Sequence, residues 1–261
     1  QMPIKIERQL DALVQLCQKH KVILFLSIHD WINQDLSDED LAAQRVFAKL
    51  IAERYKNAPG FMIDIQNEPM ISIRDKINPR EYPYVVRDWN EYLKAKYGND
   101  ETLKAAWKLS PPESALGSVT YSAGTGAWDD IRTQDAEDFR QVMLSKWIRE
   151  NAKGAKEGNP KGLVTVGLLQ EFWACNKLLN VADVDFANMH SYNSIDVLRF
   201  DVKLFDRRFE GKSVSLGEFG SMADHDLRAR GSDSVEMDYN RFLQVGHYVF
   251  GLGGSFIANW S

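Results

Sequence analysis

The chain has 261 residues, 44% hydrophobic and 26% charged, with a formal net charge of -5 at pH 7. That length buries a large core and suits one barrel-sized domain. A mildly acidic chain with no basic stripe is not built to neutralise phosphates, which excludes nucleic acid as the main partner. No apolar run approaches the roughly 20 residues of a membrane span, so no membrane partner is expected. Cys17 and Cys175 have no metal-knuckle or disulfide-framework spacing and read as ordinary buried or partly buried thiols.

Gln1 to Lys21 reads as an amphipathic helix, with Ile6, Leu10, Leu13, Val14 and Leu16 on one face. Val22 to Ile28 is a continuous apolar run, the pattern of a parallel strand buried on both faces. Ser37 is a candidate N-cap, followed by Asp38, Glu39 and Asp40 at the positive end of a helix dipole. That helix reaches about Asn57, where Pro59-Gly60 stops it, and Phe61 to Ile65 is the second strand. An insert at about 70–130 follows, with helices near Tyr84–Tyr97 and Asp100–Lys108 and a Pro/Ser/Gly-rich loop from Ser110 to Gly126. It reads as an elaborated loop of one domain, not a second domain. Asp135 to Glu157 is a long helix, Leu163 to Gly167 the third strand and Val184 to Met189 the fourth. A helix near Val197–Phe209 precedes the fifth strand, Val214 to Leu216; Ser234 to Phe250 is helical and Ser255 to Ala258 is the sixth strand. Alternating buried strands and helices imply a parallel sheet with right-handed crossovers, open or closed into a barrel. No Gly-rich phosphate loop follows a strand, which disfavours a nucleotide site.

Polar residues recur at the C-terminal ends of these strands: His29-Asp30, Asn67-Glu68, Gln170-Glu171, His190 with Tyr192, Glu218, and Asn259-Trp260. In a parallel α/β barrel those ends meet at one mouth, where active sites lie. Asn67-Glu68-Pro69 is the sharpest motif, a carboxylate just past an apolar strand before a turn-forming proline. Glu218 sits between Gly217 and Phe219-Gly220, where glycine permits tight packing beside the carboxylate. Two carboxylates on opposing strands are the equipment of retaining glycoside hydrolysis, one attacking the anomeric carbon while the other protonates the leaving oxygen. Trp31, Trp128, Phe172 and Trp173 fall in βα loops, where they would extend a cleft. Trp89, Trp107 and Trp147 fall within helical patterns and read as core. His225, in Asp224-His225-Asp226, reads as part of a solvated loop.

With these residues in place the sequence resembles glycoside hydrolase clan A, the barrel clan that includes the cellulase-like family five and the β-galactosidase-like family forty-two. Asn67-Glu68-Pro69 matches the clan's Asn-Glu pair after strand four, and Gly217-Glu218-Phe219-Gly220 its strand-seven glutamate. His29 matches a histidine after strand three, His190 and Tyr192 the His-x-Tyr after strand six, and Trp260 the tryptophan after strand eight. Trp89 to Tyr97-Gly98 and Leu103 to Trp107 resemble a helical insert of the family forty-two group. The resemblance implies an α/β fold of (β/α)8 TIM-barrel type, of which this chain holds strands three to eight and lacks the first two. The clan's strand-two arginine has no counterpart here. Six strands would leave two open sheet edges, so the chain is expected to be part of a longer polypeptide, or to need a complementary segment such as a missing N-terminal one as partner, the alternative being a complete but permuted or reduced barrel.

The resemblance further implies a retaining β-glycosidase acting on a carbohydrate, with no cofactor and no metal. Glu68 is the expected acid/base and Glu218 the expected nucleophile. Asn67 would hold the sugar 2-hydroxyl, Tyr192 would donate to Glu218, and His190 would position Glu68 or the substrate. Trp260 would stack on a sugar face, and His29, Trp31 and Trp173 complete the expected substrate contacts. Any leader preceding Gln1 would favour a secreted or periplasmic location. Two rivals share the same mouth. One is a metal-dependent barrel enzyme of sugar-isomerase type with His29, Glu68, His190 and Glu218 as ligands. The other is a non-catalytic carbohydrate-binding barrel.

Overall fold

A computed structural model describes residues 3–30, 36–69, 71, 81–122, 124–169, 184–192, 195–209, 211–219, 233–254 and 257–259. Six strands form one sheet in sequence order: β1 (Leu24–Ser27), β2 (Phe61–Asn67), β3 (Leu163–Leu169), β4 (Phe186–His190), β5 (Ser213–Phe219) and β6 (Ile257–Asn259). Every neighbouring pair is parallel. Helices alternate with them: α1 (Ile4–His20), α2 (Asp38–Arg54), α3 (Tyr82–Tyr97), α4 (Asp100–Ala106), α5 (Ile131–Gly158), α6 (Ile195–Arg208) and α7 (Asp233–Gly251). This is the expected partial barrel: adjacent strands in order, all C-terminal ends on one side, and β1 and β6 at the two edges. Among the described residues no helix is long and apolar enough to cross a membrane.

The boundaries differ from the sequence expectation for local reasons. β1 starts at Leu24, not Val22, because Lys21 turns left-handed and the Val22 amide closes α1 on the Cys17 carbonyl at 2.8 Å. α5 starts at Ile131, not Asp135, because Asp130 is an N-cap whose side chain accepts from the Arg132 amide. β2 and β5 run past their apolar stretches to Asn67 and Phe219.

The helix layer rests on α2 against α5. Gly154 and Gly158 face the Arg45 and Lys49 carbonyls of α2 so closely that a Cβ at either position would collide with backbone. Trp147 of α5 is fully buried and its indole donates to Gln44 of α2 at 2.6 Å. Trp89 and Trp107 are fully buried too, stacked on each other with Phe139 against Trp89, so α3 and α4 join the same core. Asn90 of α3 ties the following loop to the core through both backbone groups of Val119, at 2.9 Å each. Of the cysteines, Cys17 is a half-buried free thiol; Cys175 lies outside the described residues.

At the β1 edge the apolar surface is uncovered. Ile4, Ile6, Val46 and Leu50 are exposed, and α1 and α2 border an apolar groove of about 1430 Å³.

Replacing Gly154 by leucine forces α5 off α2 and is expected to cost about 1–3 kcal/mol, the usual penalty of overpacking. A urea unfolding curve checks this. An unchanged midpoint would show that the two backbones do not need their close approach.

Candidate active site

Two irregularities in the sheet create the site. In the β2–β3 ladder Asp64 pairs with Thr165 but Asn67 pairs with Gly167, so β2 carries one extra residue over that interval. In the β4–β5 ladder Met189 pairs with Leu216 and His190 with Glu218, leaving Gly217 as the extra residue. A bulge reverses which face the following side chain points to. Without it Glu218 would follow the strict alternation of β5 and leave the face that His190 occupies. Glycine is required beside both features. A Cβ at Gly217 would overlap the Asn188 side chain, and one at Gly167 would sit 2.7 Å from His190 Nε2. Glu68 itself has φ 47°, a left-handed conformation that costs a non-glycine residue about 1 kcal/mol or more. Its amide donates to the Gly167 carbonyl at 3.1 Å.

The result is a tight cluster. His190 Nδ1 lies 2.9 Å from Glu68 Oε1 and 3.0 Å from Glu218 Oε2. An oxygen of each carboxylate and the imidazole nitrogen all lie within 4.8 Å of one another. Tyr192 hydrogen-bonds Glu218. Ser191, between the two, is held by its hydroxyl donating to Asp201 at 2.8 Å and its amide donating to the Glu218 carbonyl at 3.0 Å. His190 and Glu218 are buried, and Glu68 is half-buried.

Burial opposes a charge on His190, but hydrogen bonds and attraction from Glu218 and Glu68 outweigh it and push its pKa up to about 9. Burial likewise works against an ionised Glu218. The hydrogen bond and charge of His190, then the hydrogen bonds of Tyr192 and Glu68, prevail and leave its pKa below the usual value. Burial and the nearby Glu218 charge raise Tyr192.

The structure thus brings together Glu68, His190, Tyr192 and Glu218. Asn67 ends β2 beside them, half-buried. His29 is not part of this cluster. The Ile28 and His29 amides donate to the consecutive carbonyls of Asp64 and Ile65, so the chain turns past β1. The ring then enters the helix layer, near Phe47 and Trp147, where Nε2 donates to Asn151 at 2.7 Å. Burial there lowers its pKa. Trp128 is 66% exposed. Trp31, Gln170, Glu171, Phe172, Trp173, His225 and Trp260 lie outside the described residues.

Sequence reasoning passed over Asp64, Asn188, Ser191 and Asp201, all buried polar residues. The available signal was a carboxylate and a carboxamide inside apolar strands, at Ile63-Asp64-Ile65 and Ala187-Asn188-Met189. Glu68, His190 and Glu218 are also the one metal-compatible group among the described residues, although their direct hydrogen bonds occupy the atoms a cation would use.

Residues 5–105 match the family model Cellulase (glycosyl hydrolase family 5). No curated protein sequence matches the chain. Solved structures with the same fold include a β-galactosidase from Bacillus circulans sp. alkalophilus, 18% identical at TM-score 0.61 over 87% of this chain and 34% of that one. Another is the β-galactosidase of Rahnella sp. R3, 14% identical at TM-score 0.66 over 97% of this chain and 42% of that one. A third is an endo-1,4-β-D-mannanase from Thermotoga petrophila RKU-1, 13% identical at TM-score 0.53 over 96% of this chain and 67% of that one. The fold is therefore that of a partial TIM barrel, shared with these solved structures. Its likeness is to clan A, in sequence through the family 5 model over residues 5–105 and in fold through the β-galactosidases and the mannanase. It spans about a third of the Bacillus β-galactosidase chain, as the 34% coverage states.

His190 has a folded pKa above its ordinary value of 6.5. Its contribution to stability is fully present below about pH 6.5 and is lost as the pH rises through about 9. The ring should titrate near that value by NMR, and Glu218→Gln should lower the midpoint. A ring titrating at or below 6.5 would mean that the carboxylates do not hold it.

Proposed function

We propose that the chain carries the catalytic site of a retaining β-glycosidase, with Glu68 as acid/base and Glu218 as nucleophile. The observation that supports this most is the approach of the two carboxylates to within 4.8 Å across His190. Retaining hydrolysis calls for carboxyl groups about 5–5.5 Å apart, whereas an inverting pair stands about 6.5–9.5 Å apart to admit a water. The roles follow from the surroundings. Glu218 has the smaller side-chain exposure, 10% against 25% for Glu68, and receives hydrogen bonds from His190 and Tyr192 that favour its anion. Glu68 is the carboxyl open to solvent, as an acid that later takes a proton from water must be.

In the first step Glu218 attacks the anomeric carbon as the bond to the leaving oxygen breaks, and Glu68 gives that oxygen its proton. In the second step Glu68 removes a proton from water, the water oxygen bonds the anomeric carbon, and Glu218 leaves as carboxylate. Asn67 would hold the 2-hydroxyl, where contacts strengthen in the transition state. Trp31, Trp173 and Trp260 are proposed as sugar contacts on the clan resemblance. The substrate class is a β-linked glycan or glycoside.

The open β1 edge and the apolar groove beside it support a second proposal. An additional segment pairs with β1 and covers α1 and α2, completing the barrel.

A 2-fluoro-sugar with an activated leaving group should label Glu218 covalently and stop turnover. Glu218→Ala should abolish both turnover and labelling. Wild-type-like turnover in that variant would overturn the scheme, and binding without labelling would favour a carbohydrate-binding module. Turnover should also survive EDTA dialysis unchanged; a loss restored by a divalent ion would favour the metal-dependent rival.

A further inference from the structure

We propose that Asp64 is a positioning residue for Glu68: its carboxylate, clamped by Ser27, fixes the β2 bulge that aims Glu68 at His190. The proposal rests on the reading of Glu68 as acid/base. Asp64 lies in the middle of β2 between Ile63 and Ile65, at 4% exposure, where an apolar residue would suit the core better. Its two oxygens are both engaged. Oδ2 accepts from the hydroxyl of Ser27, its ladder partner on β1, at 2.6 Å. Oδ1 accepts from the backbone amide of Gly167 on β3 at 2.9 Å.

Gly167 is the residue opposite Asn67, where the registers of β2 and β3 part. Its carbonyl accepts from the Glu68 amide, and its missing Cβ leaves room for His190. One peptide segment is therefore gripped by Asp64 on its N–H side and grips Glu68 on its C=O side. The left-handed backbone at Glu68 is an unfavourable conformation that persists only where neighbouring contacts determine it. The Asp64–Gly167 bond is such a contact. Burial lifts the Asp64 pKa to about 6, with the bonds from Ser27 and Gly167 pulling the other way and His190 and Asp30 acting through space. A neutral acceptor of the same shape would serve the positioning role.

The test uses the full chain and compares phenyl with 2,4-dinitrophenyl β-glycosides of glucose, galactose and mannose. Proton donation matters for the phenol and hardly for the dinitrophenol. Glu68→Gln should lower kcat/KM, which reports the first step alone, by about 10²–10⁴-fold on the phenyl glycoside and far less on the activated one. Without that pattern in Glu68→Gln the acid/base reading itself fails. With it, Asp64→Val should lower kcat/KM on the phenyl glycoside by about 100-fold and on the activated one by less than about 5-fold. Asp64→Asn, which still accepts from Gly167 and can donate to Ser27, should stay within about 5-fold of wild type on both. Equal losses on both substrates, no loss in Asp64→Val, or a loss in Asp64→Asn as large as in Asp64→Val would overturn the proposal. If Asp64→Val does not fold, Ser27→Ala leaves the carboxylate unclamped and should show the same leaving-group pattern at about 3–10-fold. Its absence there overturns the proposal equally.

Discussion

The buried imidazole of His190, in contact with Glu68 and Glu218 at once, is the interaction on which the site depends. Two carboxylates this close repel each other and resist joint ionisation. A ring that carries charge at neutral pH offsets that repulsion, and its burial keeps solvent from screening it. The geometry comes from the backbone. A regular parallel ladder would alternate side chains strictly, and neither glutamate would reach the ring. One extra residue on β2 and one on β5 break the alternation at the C-terminal ends of the strands. The left-handed turn at Glu68 belongs to the same device.

The position of the site within the sheet matters as much as its contacts. Glu68 follows β2, His190 ends β4 and Glu218 lies in β5, and each of these strands is paired on both sides. Among the described residues the sheet edges lie at β1 and β6, one strand away from the nearest site strand in each direction. Pairing with an additional segment would therefore cover β1 without disturbing the registers that set the carboxylates. The same layout explains why the apolar groove borders α1 and α2, while α5 lies deep in the core.

The order of strands and helices was legible because buried parallel strands are apolar runs and their helices carry a separate period. The glutamates were legible because each follows such a run with a distinctive neighbour, Pro69 after one and Gly217 before the other. What the sequence concealed was direction. His29 follows β1 and His190 ends β4, but it is His190 that faces a glycine, Gly167, across the sheet. His29 instead meets Asn151, Phe47 and Trp147, and that choice depends on how the chain turns after β1. The bulges were hidden too, since an extra residue in a strand is defined by its partner's register. Gly217 hinted at one; Asp64, read only as part of an apolar run, marks the other.

The two glutamates are chemically identical and the cluster makes them different. His190 contacts both, so it cannot by itself decide which one carries the anion. Tyr192 breaks the tie, because its hydroxyl hydrogen-bonds Glu218, while Glu68 acts on it through charge. Ser191 fixes that choice in the backbone, its amide on the Glu218 carbonyl and its hydroxyl on the buried Asp201. The segment from His190 to Tyr192 therefore delivers a shared cation and an unshared donor from one short stretch of chain. On the other side Glu68 has the Gly167 carbonyl for its amide and the larger side-chain exposure, 25% against 10% for Glu218. The two carboxyls share a hydrogen bond and the His190 ring, and the further donor from Tyr192 is what favours the anion on Glu218.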